Sequence, residues 1–226
     1  MDLVITDPPY FISSKVVIQR SAHRGKYRAT KAIVLDFGRW DHFADEDGYW
    51  RFTNAWLGGL ARVMRPGAHL VTFFDEDRIS PLITSAKRQG LLRRQHLYWL
   101  KSNPAPRARK VDFMIALEHA VWFTKGMLAG ETFNYQLGQQ KNYVQAALPN
   151  HPRLHPTQKP EAALRVWMAY LTHPGDVVLD PFTGSGTTPL VARELGRRFI
   201  GFEREPGYVQ IARRRLGGLR LTAKAQ

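Results

Sequence analysis

Apolar residues in this chain fall into two rhythms that take turns along it. Leu3, Val4 and Ile5 form an unbroken run that ends at Thr6 and Asp7 and meets Pro8 and Pro9. Such a run, stopped by prolines, predicts a buried strand that hands the chain to a loop at its C-terminal end. Tyr49, Phe52, Trp56, Leu57, Leu60, Val63 and Met64 recur at helical spacing, closed by Arg65, Pro66 and Gly67, which predicts a helix over 49–64. The same reading gives strands over 69–74, 95–101, 119–124, 176–179 and 199–202. It gives further helices over 80–89, 161–171, 187–195 and 206–216, the last with Pro206 in a first turn that tolerates it. Strands alternating with helices predict an α/β sheet covered on both faces. Two stretches resist both rhythms. Residues 11–37, irregular and basic, are expected to form a mobile positively charged loop, and 126–149 is polar and weakly patterned. The end of the chain, 217–226, is expected to fray.

Length and composition narrow the class. At 226 residues the chain suits one domain, 1–226, and 44% hydrophobic with 12% aromatic content is that of a folded protein. Thirty-three Lys and Arg against 19 Asp and Glu leave a net charge of +14, which favours a polyanionic partner, nucleic acid first. A membrane surface competes weakly, because no long basic amphipathic helix is present. The absence of Cys excludes disulfides, Cys-ligated zinc and a thiol nucleophile, and no metal site is expected. No apolar run approaches the roughly 20 residues of a membrane span, and MDLVITDPPY lacks the regions of a signal peptide. A cytoplasmic protein, at the nucleoid when bound to DNA, is the expectation.

Two strand-to-loop junctions carry the candidate chemistry, DPPY at Asp7 to Tyr10 and DPFTGSGTT at Asp180 to Thr188. In an open α/β sheet ligands collect beyond the carboxyl ends of the strands, so both loops should open onto one rim. Gly184 and Gly186 let the backbone turn sharply and approach a ligand. Ser185, Thr187 and Thr188 lack the preceding Lys of a phosphate-binding loop, which disfavours nucleoside triphosphates. The next strand ends at Glu203, roughly the ~20 residues on at which Rossmann-like sites set an acid against ribose hydroxyls. A nucleoside-bearing cofactor without needed phosphates fits best. Each feature alone is equally a tight turn and a solvated acid; the ordered set is what argues for a site.

In DPPY, Asp7 and Pro8 each precede a proline and are pushed into an extended, stiff segment. Pro8 and Pro9 have no amide hydrogen, so the loop presents acceptors, the Asp7 carboxylate and the Pro8 carbonyl. An amino group with two hydrogens matches them. Gripping the hydrogens of an aromatic amine, whose lone pair is delocalised, favours a pyramidal nitrogen aimed at an electrophilic methyl. Tyr10 can then stack on the ring. A base cannot react while paired in a duplex, so it would be flipped out at a cost of a few kcal/mol. Alone, the motif is also a common proline-rich turn.

The sequence resembles the amino-methyltransferases of DNA, specifically the β-type group in which the DPPY loop precedes the FxGxG loop. The likeness includes RVMRPGAHLVTFF from Arg62, YWLKSNPAP, EHAVWFTKG, HPTQKP at His155 to Pro160, FTGSG at Phe182 to Gly186, and FIGFE ending at Glu203. It implies a Rossmann-like class I methyltransferase sheet, circularly permuted, with a C-terminal-type β-hairpin and an edge strand whose completeness is left open. It implies that Asp7, Pro8, Pro9 and Tyr10 hold the target base. Asp180, Pro181, Phe182, Gly184, Ser185, Gly186 and Thr187 would enclose the methionine end of S-adenosylmethionine, Glu203 would take the ribose hydroxyls, and Thr157 and Lys159 would border the cofactor. An Asp opening the motif is more usual in adenine N6 enzymes and a Ser in cytosine N4 enzymes. Relatives usually carry a further strand and helix ahead of the motif, with an acid near the cofactor adenine, whereas Met1 lies almost at it here; the expectations are that LGGLRLTAKAQ supplies an edge strand, that the cofactor is held more loosely, or that the chain is a truncated form.

The implied function is site-specific methyl transfer to adenine N6, cytosine N4 second, in DNA. Arg20, Arg24, Lys26, Arg28 and Lys31, with Arg107, Arg109 and Lys110, are candidate phosphate contacts, each equally a solvated charge. Residues 126–149 are the expected target-recognition segment, and a homodimer is a candidate assembly. A cytosine C5 methyltransferase is excluded, since it needs a Cys nucleophile. The alternatives are an RNA amino-methyltransferase and a non-catalytic nucleic-acid-binding protein with a degenerate cofactor pocket.

Overall fold

The computed structural model describes residues 1–18, 33–35, 38–106, 113–126, 133–149 and 154–217. In chain order the strands are β1 (Leu3–Thr6), β2 (Ser14–Ile18), β3 (Ile33–Leu35), β4 (His69–Phe73), β5 (Leu91–Lys101), β6 (Leu117–Lys125), β7 (Tyr143–Ala146), β8 (Val177–Asp180) and β9 (Arg198–Gly201). The α-helices are α1 (Glu46–Val63), α2 (Ile79–Arg88), α3 (Glu161–Leu171), α4 (Thr187–Glu194) and α5 (Pro206–Arg215). Two units emerge, Met1–Pro8 with Asn54–Gln226, and Pro9–Thr53.

The first unit is built on a sheet of order β7-β5-β6-β4-β1-β8-β9. Leu3, Val4 and Ile5 are 0%, 0% and 1% exposed, because β1 has a parallel neighbour on each side, β4 and β8. Parallel strands buried on both faces read as continuous apolar runs, which is why β1 shows in the sequence. Beyond β8 lies β9, also parallel. On the other side β6 runs antiparallel to both β4 and β5, and β7 lies parallel to β5. The β5–β6 pair is the antiparallel hairpin expected, and the DPPY strand precedes the glycine-loop strand in the chain while neighbouring it in space, the permuted order expected.

Helix α3 buries Ala163, Leu164, Trp167, Met168 and Leu171, the i, i+1, i+4, i+5 and i+8 positions of one face. Trp167 meets Phe73 of β4 with ring centroids 5.4 Å apart. Burying each large aliphatic side chain of this face contributes roughly 1.5–3 kcal/mol.

Three expectations need correction. Residues 11–37 were expected as a loop throughout, yet they contain β2 and β3, paired antiparallel. Their apolar triplets, Val16 to Ile18 and Ile33 to Leu35, are too short within basic text to show a period. Residues 126–149 contain β7, a parallel edge strand, so part of that segment belongs to the sheet. Strand β5 begins at Leu91 rather than 95, because a register shift between Arg93 and Gln95 breaks the alternation there. Arg20, Arg24, Lys26, Arg28, Lys31, Arg107, Arg109 and Lys110, and the tail from 218 on, lie outside the described residues.

The second unit is organised around Asp41, which is 1% exposed. Its Oδ1 accepts from the backbone amides of Tyr10 and Phe11 at 2.8 and 2.7 Å, and its Oδ2 from those of Ile12 and Ser13 at 3.0 and 2.7 Å. Phe11 sits at φ 57, a conformation that costs a non-glycine residue of order 1 kcal/mol or more; four amide bonds to one carboxylate hold it there. Rings of Phe11, Phe43, Tyr49 and Phe52 pack in sequence, with centroids 5.1 to 5.8 Å apart.

Candidate active site

Parallel pairing of β1 with β8, Leu3 opposite Val178 and Val4 opposite Leu179, brings the carboxyl ends of both strands to the same rim. The two motifs join there: Thr6 Oγ1 donates to Asp180 Oδ1 at 2.8 Å. Asp180 is 4% exposed, and its further donors are neutral, the Phe182 amide at 3.0 Å and the Thr188 hydroxyl. Burial pushes its carboxyl up to about 6, these donors oppose the rise, and the negative charge of Asp7 adds to it. The first motif is therefore electrically sensed by the second.

The glycine turn after β8 is defined by its backbone. Gly184 and Gly186 have φ values of 52 and 83, and a Cβ on Gly186 would lie 2.8 Å from the Ala212 Cβ of α5, so neither angle nor space admits a side chain there. The Gly184 amide donates to Glu203 Oε2 at 2.8 Å, and Glu203 Oε1 accepts from the Glu205 amide at 2.8 Å. Glu203, just beyond β9, is thus fixed against the turn. Ser185 and Thr187 face the other way: their hydroxyls accept from Arg215 Nη1 at 3.3 and 3.1 Å, while Arg215 Nη2 bonds Glu161 at 2.6 Å. Those two side chains tie the turn to α5 through Arg215, and each hydroxyl keeps its own hydrogen to donate. Pro181 is half-buried, and the ring of Phe182 meets Trp56 of α1 edge-on, centroids 6.1 Å apart. The indole Nε1 of Trp56 is buried and, among the described residues, meets no hydrogen-bond acceptor.

At the end of β1, Asp7 Oδ2 lies 2.6 Å from Lys159 Nζ. Lys159 is 7% exposed, and its ammonium also reaches Glu118 Oε1 at 2.7 Å and the Thr157 carbonyl at 3.4 Å, 4.9 Å from the Phe73 ring centroid. Lys101 Nζ completes the cluster, 2.9 Å from Glu118 Oε2. Burial alone would lower the Lys159 pKa, but Asp7 and Glu118 outweigh it and the value is raised. For Glu118 burial works upward, and Lys159 and Lys101 bring the value below the ordinary one. Lys159, expected beside the cofactor, places its ammonium on the DPPY acid. Pro8 is buried in this unit, whereas Pro9 and Tyr10 belong to the second.

His155 opens the same segment. Its ring lies 4.3 Å from Tyr208 and faces Gly184, and burial first, then the Lys159 charge, press its pKa down to about 4; it is neutral at neutral pH. Thr157 turns its amide and hydroxyl to His155 Nδ1 at 3.3 and 3.1 Å. Sequence reasoning missed His155, Tyr208, Trp56, Glu118 and Lys101. Three of them had a signal, His155 as the first residue of HPTQKP, Glu118 as the first of EHAVWFTKG and Lys101 within YWLKSNPAP; Trp56 and Tyr208 had none. Among the described residues no helix is long and apolar enough to cross a membrane, and no group of three His, Asp or Glu could hold a metal ion.

Residues 1–214 match the DNA methylase family. The Type II methyltransferase M2.DpnII of Streptococcus pneumoniae is 30% identical over 228 residues, 96% of this chain and 82% of that protein. The crystal structure of the M1.HpyAVI-SAM complex has a TM-score of 0.72 at 27% identity, covering 95% of this chain and 88% of that one. The PvuII DNA methyltransferase, cytosine-N4-specific, shares the fold with a TM-score of 0.72 at 20% identity, covering 98% and 81%.

Proposed function

This chain belongs to the N6/N4 DNA methylase family, and from that premise we propose that it transfers a methyl group from S-adenosylmethionine to the exocyclic amine of a DNA base, adenine N6 ahead of cytosine N4. The observation that carries the reading is the Thr6 to Asp180 bond of 2.8 Å, which ties the amine-gripping motif to the glycine turn.

The residues fit the cofactor. Asp180 is a buried acid whose donors are neutral, and a ligand carrying an ammonium and a sulfonium supplies the opposite charge. Trp56 Nε1 is a buried donor beside Phe182 that lacks an acceptor among the described residues, which a bound ligand's polar atom would satisfy. Glu203 stands against the turn with oxygens suited to a diol. When bound, S-adenosylmethionine supplies an electrophilic methyl on a good leaving group. Asp180, Pro181, Phe182, Gly184 and Gly186 would hold its methionine end, Glu203 its ribose, and Thr157 the border, while Ser185 and Thr187 keep the turn in shape.

On the other side, Asp7 is presented by its ion pair with Lys159 as a carboxylate, an acceptor only. With the Pro8 carbonyl it takes the hydrogens of the target amine, turning the nitrogen lone pair outward. Pro9 and Tyr10 complete the motif, the ring stacking on a base that must leave the duplex. In the transfer the bond from methyl to sulfur would break, leaving a neutral thioether, and the proton that the nitrogen sheds would pass to solvent, while the Asp7 carboxylate hydrogen-bonded to the nitrogen stabilises the charge that develops. The adenine preference rests on the Asp that opens the motif. DNA as substrate places the protein's work at the nucleoid, and the net charge of +14 suits it.

The test is incorporation of labelled methyl into DNA, RNA and protein in parallel, followed by sequencing of modified bases in DNA. N6-methyladenine at a fixed sequence is the expected result. Methyl transfer to RNA alone, or cofactor-free DNA binding without transfer, would replace this reading with another.

A further inference from the structure

We propose that Glu118 is a positioning residue of the transfer reaction: by sharing the Lys159 ammonium with Asp7, it sets how tightly and from which side that lysine holds the Asp7 carboxylate. The inference rests on the reading of Asp7 as the acid that grips the target amine.

Among the described residues the Lys159 ammonium has acceptors in Asp7 Oδ2 at 2.6 Å, Glu118 Oε1 at 2.7 Å and the Thr157 carbonyl at 3.4 Å. The side chain is 7% exposed, so water does little to solvate the charge, and its partners decide where it sits. With a single carboxylate in reach, a buried ammonium closes onto it and draws on both of its oxygens. Here a second carboxylate pulls from β6, and the charge is divided. Glu118 is itself held from behind by Lys101 Nζ at 2.9 Å, one strand over on β5. The row Asp7, Lys159, Glu118, Lys101 therefore alternates in sign, and each member is fixed by the next.

The consequence falls on the acceptor strength of Asp7. A carboxylate fully engaged by a lysine has less electron density for an incoming amine. Glu118 diverts part of the lysine's pull away from Asp7. Among the described residues the charged groups facing Lys159 are Asp7 from the end of β1 and Glu118 from β6, with Lys101 behind Glu118; Phe73 of β4 offers a ring face, and burial and the Lys159 charge hold His155 neutral.

Glu118→Gln keeps the shape and removes the charge. In the full-length protein, kcat for methylation of a DNA duplex is expected to fall on the order of tenfold, with the S-adenosylmethionine Kd and the KM for DNA unchanged. The alkaline limb of the kcat profile is expected to move to lower pH, because one of the two anions that keep Lys159 protonated is gone. Glu118→Asp keeps the charge at shorter reach; its limb is expected at the wild-type pH with a smaller loss of kcat. In a Lys159→Met background, the Gln substitution is expected to cost nothing further, since its effect runs through the lysine. Wild-type kcat and pH profile in a folded, cofactor-binding Gln variant would overturn the proposal. So would an Asp variant that matches the Gln variant in both readouts, which also decides the matter if the Gln variant fails to fold. A wild-type protein that transfers no methyl to DNA sinks the reading beneath it instead, a result distinct from equal activity in wild type and variant.

Discussion

Asp7 and Asp180 stand at the carboxyl ends of adjacent parallel strands, begin two Asp-Pro motifs, and live in opposite electrical surroundings. Asp7 has a buried ammonium at 2.6 Å. Asp180 has hydroxyl and amide donors, and its carboxyl is pushed up to about 6. The contrast shows how one residue type is given two tasks by its neighbours. An acid already paired with a cation is a fixed acceptor, fit for neutral hydrogens such as those of an amine. An acid buried without a cation among those donors is poised for a ligand that brings positive charge.

The sharpest way to break the contrast is to remove each acid and ask what is lost. Asp7→Ala is expected to lower kcat roughly a thousandfold while the cofactor Kd, read by calorimetry, stays put; a parallel loss of both would make the two ends one site with one task. Glu203→Ala, on the Asp180 side, should do the reverse, raising the cofactor Kd roughly ten- to hundredfold through the loss of charge-assisted hydrogen bonds. An unchanged Kd would remove Glu203 from the ribose.

A smaller effect is written in pH. A cationic ligand favours ionised Asp180, so cofactor affinity is expected to weaken up to about tenfold per pH unit below the value of about 6, and to lose that dependence in Asp180→Asn. Stability runs the other way. The folded value of about 6 lies above the ordinary 3.8, so the folded chain keeps a proton that the unfolded chain releases. This group's contribution is greatest below pH 3.8 and falls by about 3 kcal/mol as pH rises past 6. Denaturant titrations of ligand-free wild type and Asp180→Asn between pH 4 and 7 should show that decline in the wild type and a flatter course in the variant.

Much of this contrast was legible in the sequence as position and little of it as chemistry. The runs Leu3 to Ile5 and Val177 to Leu179 announced two buried strands, and the Asp-Pro steps after them announced two rim loops, because such strands leave unbroken apolar text. What surrounds each acid could not be read. Glu118 is one polar residue in a strand, and its partners Lys101, from β5, and Lys159, from the loop ahead of α3, are brought to it only by the tertiary fold, for which no spacing rule exists. Arg215 likewise read as one of three adjacent arginines in a last helix. Only the fold turns it toward Ser185, Thr187 and Glu161 and leaves Arg214 exposed. The strands within 11–37 were hidden for a different reason, their apolar triplets being outvoted by surrounding charge.

The fit of Gly186 against Ala212 ties the shape of the turn to a position of α5 that, unlike Tyr208 and Arg215, carries no polar group. A residue larger than alanine at 212 is expected to press on the turn, so a saturation scan of α5 should find this methyl poorly tolerant of enlargement. Tolerance along that helix would then map the rigidity of a loop distant in sequence, with no ligand in the assay.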